Sequence, residues 1–246
     1  MRCSTRFEHG CALLNGDGVA RSLIATKLYI PKPRRGLVAR PRLLERLRRG
    51  DEVRLTLVSA PAGFGKTTLL AEWLGETPDD DHSVAWLSLD PADNEPASFW
   101  TYVVTALRTA VPGVGQSALE LLASSPLPTE HLVTTLLNEL AAAPVEVWLV
   151  LDDYHLVDSH DVGDGVSFFL EHLPPHVHVV ISTRADPDLP LSRWRVRGEL
   201  AEVRAADLRF TSEEAAAYLN GVAGLALVSE DVAAVEEGRG GGVAAA

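Results

Sequence analysis

Residues 60–68 read Ala60-Pro61-Ala62-Gly63-Phe64-Gly65-Lys66-Thr67-Thr68, and the segments on either side decide what they mean. Before them, Arg54–Ser59 is apolar and β-branched, the composition of a buried strand. After them, Leu69, Leu70, Trp73 and Leu74 share one helical face, which predicts a helix over Thr67–Leu74. A glycine-bearing turn between a strand and a helix is the context of a phosphate-binding loop, the Walker A motif. Gly63 and Gly65 let the backbone wrap around phosphate oxygens with its amides inward. The helix N-terminus beginning at Lys66 adds its dipole. The Lys66 ammonium is expected to bridge β- and γ-phosphates, and the Thr67 hydroxyl to ligate Mg2+. Ala60, Phe64 and Thr68 complete the cradle. Ala60 stands where such loops usually begin with glycine, a lead-in position where a small residue suffices.

Two further strands deliver polar groups in the same way. Val147-Trp148-Leu149-Val150-Leu151-Asp152-Asp153 is an apolar run ending in acids, the pattern of a Walker B strand. Taken alone it could be a strand ending in a solvated turn; paired with the upstream loop, Asp152 becomes the Mg2+-side carboxylate. Asp153 becomes the group that orients or activates an attacking water. Val179-Val180-Ile181-Ser182-Thr183-Arg184 follows. Arg184 at its end is either a γ-phosphate contact or a surface arginine. His155 reads as a hydrogen-bonded loop histidine. Arg193, Arg195 and Arg197 alternate with Trp194 and Val196, and Asp79-Asp80-Asp81 precedes His82; both stretches read as solvated segments.

Working outward, strands and helices alternate. Strands are expected at Ser83–Leu89, Val145–Leu151, His176–Ser182 and Leu200–Arg204. Helices are expected at Pro41–Arg49, at Phe99/Val103/Leu107, at Leu132/Leu136/Leu140 and at Gly165–Leu173. Thr211-x-x-Glu214 is a capping box opening an Ala-rich helix to Asn220-Gly221. The order implies a doubly wound, mostly parallel five-stranded α/β sheet, with its crevice at the carboxyl ends of the strands. Residues 1–25 read as a loose tail, 26–50 as a basic arm and short helix, and 51–210 as the nucleotide-binding domain. Residues 211–237 begin a helical subdomain, and 238–246 form a low-complexity end.

The 246 residues carry 22 Lys plus Arg against 34 Asp plus Glu, a net charge of −12. That charge argues against a nucleic-acid-coating protein. With 46% hydrophobic and 23% charged residues, global disorder is excluded. Cys3 and Cys11 cannot form a disulfide framework, which points to a reducing cytoplasm. No apolar run approaches a membrane span, and the N-terminus has no secretory pattern.

Together these stretches resemble the nucleotide-binding domain of MalT-like LuxR-type regulators, within the signal-transduction ATPases with numerous domains (STAND). The likeness rests on Thr26-Lys-Leu, Pro31-Lys-Pro-Arg-Arg, Leu37-Val-Ala-Arg40, Ala60–Thr68, Ala85-Trp-Leu-Ser-Leu-Asp90 with Asp93-Asn94, Leu151-Asp-Asp-Tyr-His155, Ser182-Thr-Arg184 and Leu208-Arg-Phe-Thr211 with Glu214. It covers residues 26–237. The resemblance implies a slow ATPase switch that binds ATP or ADP with Mg2+ and self-associates when ATP-bound. It also implies that Arg40 lies near the nucleotide base. Such regulators bind DNA, but this chain has no segment matching their sensor or helix-turn-helix, so a truncated regulator is expected. A phosphate-loop small-molecule kinase with Arg193–Arg197 as its lid, or a non-catalytic binding fragment, are the alternatives.

Overall fold

The computed structural model describes residues 12–14, 20–32, 36–76, 82–124 and 128–222. Two short strands, β1 (Ala12–Leu14) and β2 (Ala20–Ser22), pair antiparallel inside the stretch expected to be a loose tail. The main sheet is built from β3 (Leu55–Ser59), β4 (His82–Ser88), β5 (Glu146–Asp152), β6 (Val177–Thr183) and β7 (Leu200–Arg204). Its order is β4-β5-β6-β3-β7, and every pairing is parallel.

Alternation along each strand splits the core into two layers, because successive side chains leave opposite faces. Leu55, Leu57, Ala85, Leu87, Leu149, Leu151, Val179 and Ile181 join one apolar cluster. Val58, Trp86, Trp148, Val150 and Val180 join the other. Strands buried on both faces read as near-continuous apolar runs, which is why periodicity alone does not show their alternation. The first cluster takes side chains from α3 (Pro96–Ala110), α4 (Gln116–Ser124), α5 (Thr129–Ala141) and α6 (His160–Glu171), and also Leu191 and Trp194. The second face is covered by α1 (Pro41–Arg48) and α2 (Lys66–Glu76). Pro41 opens α1 at a position where its missing N–H costs nothing.

The expected basic arm is not free. Ala25–Leu28 forms a short 3-10 turn, and Lys27 is 8% exposed. Its Nζ donates to both Asp93 carboxylate oxygens, at 2.7 and 2.5 Å, and lies 4.0 Å from the Tyr102 ring centroid. Burial of the stem and pairing of the head overcome the tendency of this composition to stay solvated.

Arg193–Arg197 is also more ordered than a solvated segment. It belongs to helix α7 (Leu191–Arg197), anchored by Trp194 at 2% exposure. Gly198, at φ 71°, ends the helix, with its N–H on the Arg195 carbonyl. Arg193 pairs with Glu171 at 2.6 Å, and Arg195 grips Glu202 at 2.8 and 3.0 Å. Arg204 also binds Glu202 and Asp186. Hydrogen bonds from Arg195, then the Arg204 pair against the cost of burial, hold the Glu202 carboxyl down at about 2, from an ordinary 4.5. A depressed carboxyl stabilises the fold fully above 4.5 and progressively less as pH falls toward 2. The melting temperature should therefore drop over that window, and Glu202→Gln should shrink the drop, checked by thermal melts from pH 2 to 6.

The capping box forms as read. Thr211 Oγ1 accepts from the Glu214 N–H at 3.2 Å, and Glu214 Oε2 accepts from the Thr211 N–H at 3.0 Å. Helix α9 is short, Ser212–Ala216, and widens into a π-helical turn over Ala217–Val222. Between β7 and α9 lies a four-residue helix, α8 (Ala205–Leu208). Cys3, Cys11, Asp79–Asp81 and the 223–246 end lie outside the described residues.

Candidate functional site

The loop after β3 carries its two glycines at positive φ, 81° at Gly63 and 73° at Gly65. A side chain there would be strained whatever space surrounds it. A Cβ built on Gly63 would meet nothing within 4 Å, so the loop is open on that side. Ala60, by contrast, is 2% exposed and belongs to the core beneath the loop. It does not have a positive φ. That is the physical reason alanine serves where glycine is usual. Phe64 packs against the same core cluster. Helix α2 starts at Lys66, and the Leu69 N–H bonds the Gly65 carbonyl at 2.8 Å. Thr68 sits half-buried in its first turn.

Lys66 is buried, at 7% exposure. Its Nζ donates to the loop's own Ala60 and Pro61 carbonyls, at 2.8 and 3.2 Å. Burial lowers its pKa, while Asp153 and Asp152 pull it back up. The Thr67 hydroxyl donates to Asp152 Oδ2 at 2.9 Å. Asp152 ends β5 at 2% exposure. Burial raises its carboxyl pKa, and the Ser182 and Thr67 hydroxyls act in the opposite direction. Its other oxygen, Oδ1, is buried without a hydrogen-bond partner, as is Ser182 Oγ. Ser182 faces the carboxylate without closing a bond to it.

Strand order explains the assembly. β6 lies between β3 and β5, so Ser182–Arg184 emerges between the loop and the acidic pair. The Ala60 N–H bonds the Thr183 carbonyl at 3.2 Å, tying the loop's first residue to the end of β6. Arg184 is exposed, and its charge reaches both Lys66 and His155.

Asp153 follows Asp152 at φ 57°, the one non-glycine with positive φ among the described residues. The two adjacent carboxylates differ in environment: Asp152 is buried, while the Asp153 side chain stays 41% exposed. A 3-10 turn, Tyr154–Leu156, follows with Tyr154 buried. His155 differs from its sequence reading. Neither of its ring nitrogens has a hydrogen-bond partner, and Nδ1 stands 3.7 Å from Asp153 Oδ1. Burial and the Arg184 charge lower its pKa from the ordinary imidazole value.

Arg40 lies with a different group of residues. Its Nη2 donates to the Leu208 and Arg209 carbonyls at 2.7 and 3.0 Å, and it is 3.3 Å from Glu214. Its guanidinium covers the Phe210 ring. These contacts tie the start of α1 to the 208–214 segment and do not reach the loop. Of the expected residues, Lys66, Thr67, Asp152, Asp153 and Arg184 converge, and Arg40 stands apart. Ser182 and His155 join the site without having been assigned to it from sequence. The polar end of the apolar 179–181 run was the available signal for Ser182.

The donor set fits Mg2+ with a phosphate chain. A hydroxyl–carboxylate pair, an unpartnered buried carboxylate oxygen, a loop with two positive-φ glycines and a buried ammonium are what such a group requires, with phosphate and water supplying the remaining ligands. Among the described residues no three His, Cys, Asp or Glu side chains cluster as an all-protein metal site. No described helix is long and apolar enough to cross a membrane.

The chain is 37% identical over 201 residues to the HTH-type transcriptional regulator MalT of Cronobacter sakazakii, covering 80% of this chain and 22% of that protein. It is 35% identical over 222 residues to the serine/threonine-protein kinase PknK of Mycobacterium tuberculosis, covering 90% and 20%. It therefore spans about a fifth of the length of the curated relatives it matches. Among solved structures, the STAND protein PH0952 of Pyrococcus horikoshii, with a tetratricopeptide repeat sensor, superposes with a TM-score of 0.55 at 17% identity, covering 84% of this chain and 28% of that one. Cdc6p of Pyrobaculum aerophilum gives 0.50 at 18% identity, covering 76% and 48%. The kinship with MalT-like regulators expected from the motifs holds at this level. The AAA domain family model matches residues 48–181, a little over half of the sequence, and the chain belongs to that family.

Proposed function

We propose that this chain is the nucleotide switch of a MalT-like regulator, binding ATP with Mg2+ and hydrolysing it slowly. The observation that carries the reading is the Thr67–Asp152 hydrogen bond at 2.9 Å beside a partnerless Asp152 Oδ1 and the buried Lys66. Mg2+ in this site would supply charge neutralisation for the phosphate chain. Thr67 and Asp152 would hold it, and Lys66 would exchange the Ala60 and Pro61 carbonyls for phosphate oxygens. The loop amides from Gly63 to Thr68 would line the phosphate chain, with Ala60 and Phe64 fixing the loop from below. Asp153 would orient the attacking water, Arg184 would meet the γ-phosphate, and Arg40 would act on the base side through the 208–214 segment. A water-activating carboxylate that is 41% exposed and 3.7 Å from its histidine neighbour is not locked in place, and this supports slow turnover.

The name of the MalT relative favours a module inside a regulatory protein. DNA binding, sensing and self-association of a whole regulator are part of the same proposal. The kinase alternative needs a loose arginine lid, whereas α7 is fastened by Trp194, Glu171 and Glu202. The test is calorimetric titration of Mg·ATP into the chain and into Lys66→Ala. Charge-assisted bonds are worth about 2–3 kcal/mol, so affinity should fall roughly 30- to 150-fold. Equal affinity in the two chains would sink the proposal, and no binding by either would favour the non-catalytic fragment.

A further inference from the structure

The side chain of Asn94 joins the turn after β4 to the loop that carries Asp153 and His155, beside the Leu89 N–H bond to the Asp152 carbonyl at 3.0 Å. Its Nδ2 donates to the Pro91 carbonyl at 3.1 Å and to the Leu156 carbonyl at 2.8 Å. Its Oδ1 accepts from the Asp158 N–H at 2.8 Å and from the Ser159 N–H at 2.9 Å. The amide's two donors and two acceptor sites are therefore all used, and three of the four bonds go to residues 156–159. The fourth returns to Asn94's own turn.

That turn is held from the other side. Asp93 is fully buried. It accepts the Asp90 N–H at 2.8 Å and both Lys27 contacts, while Lys27 also reaches Asp90 at 3.2 Å. A continuous set of charge-assisted and neutral bonds thus runs from the N-terminal 3-10 turn, through Asp93 and Asn94, to the loop following Asp152. The Asp153 carbonyl accepts from the Leu156 N–H at 3.0 Å, while its carboxylate stays 41% exposed with His155 Nδ1 at 3.7 Å.

We propose that Asn94 is a positioning residue for hydrolysis, setting the Asp153–His155 loop against the phosphate loop, with the Lys27–Asp93 pair holding Asn94 in register. This rests on the reading that Asp153 orients the attacking water. Misplacing a catalytic group by about 1 Å costs on the order of 100-fold in rate. Ground-state nucleotide contacts, made by the loop after β3, are left intact.

The experiment compares the 246-residue chain with Asn94→Ala and Asn94→Asp, with hydrogen exchange at the Asp158 and Ser159 amides read beside Mg·ATP affinity and turnover. In Asn94→Ala both amides should exchange roughly tenfold faster or more, turnover should fall about 30- to 100-fold, and affinity should stay within about threefold. Asn94→Asp retains the two acceptor bonds and should keep both amides near their original protection, with a smaller loss of turnover. Unchanged exchange in Asn94→Ala would overturn the proposal, as would affinity falling in step with turnover. Exchange is read even where turnover is too slow to measure. An Asp153→Asn chain run alongside separates the two assignments: full turnover there removes the role of Asp153, whereas protected amides in Asn94→Ala remove that of Asn94.

Discussion

Replacing Asp153 by asparagine is expected to leave Mg·ATP affinity within about threefold and to slow hydrolysis by about 10²- to 10⁴-fold, the range lost with a general base. Asparagine is the informative choice because of the backbone. Asp153 sits at φ 57°, a region that Asp and Asn visit and most residues resist. The substituted amide would keep both shape and turn while removing the charge. Alanine at the same place would add about 1 kcal/mol or more of strain and mix a conformational loss with a chemical one. Single-turnover hydrolysis at saturating Mg·ATP separates the rate from binding. Turnover within about threefold of the unaltered chain would take the water-activating role away from Asp153.

Lys27→Met should destabilise the fold by about 3 kcal/mol, near the lower end of what breaking a buried ion pair costs. Methionine replaces the aliphatic stem and leaves the Tyr102 face covered. It removes the ammonium from a carboxylate with no solvent exposure, leaving Asp93 the Asp90 N–H as partner. For a chain of this size such a loss lowers the melting temperature by roughly 6–12 °C. Adding Asp93→Asn to Lys27→Met should recover at least half of it, because the uncompensated charge disappears. A shift under about 2 °C in the single variant would show that the buried pair contributes nothing net. The measurement is a thermal melt of each chain at one protein concentration and pH.

Local signals were strong where chemistry and burial coincide. Glycines at 63 and 65, the apolar runs ending at Asp152 and Thr183, and the capping box at Thr211 could be read from neighbours a few residues apart. Leu200–Arg204 forms a strand as expected. Helix Gln116–Ser124 was not anticipated, since it has only two buried positions, Ala118 and Leu119, too few for a visible period. The insertion of β6 between β3 and β5 has no local signature, yet it brings Ser182 to Asp152. The Lys27–Asp93 pair spans 66 residues, and nothing in either neighbourhood announces the other. Composition marks 26–50 as a basic arm and short helix without showing that Lys27 is buried, because burial of a charged head depends on a partner that composition does not contain.

The pairing of β3 sets an order of events during synthesis. Its two neighbours are β6 and β7, in register Leu55 with Val179 and with Leu200. A ribosome delivering about 5–20 residues per second takes roughly 7–30 s to go from Leu55 to Arg204. Until β6 is made, the Leu55–Ser59 segment has neither sheet partner and presents two open edges, and one edge stays open until β7 follows, while β4 and β5 can pair with each other once Asp152 is made. The phosphate loop is therefore translated early and becomes functional late. A nascent chain stalled before residue 177 would carry every residue of the 60–68 motif and no strand beside β3 to support it.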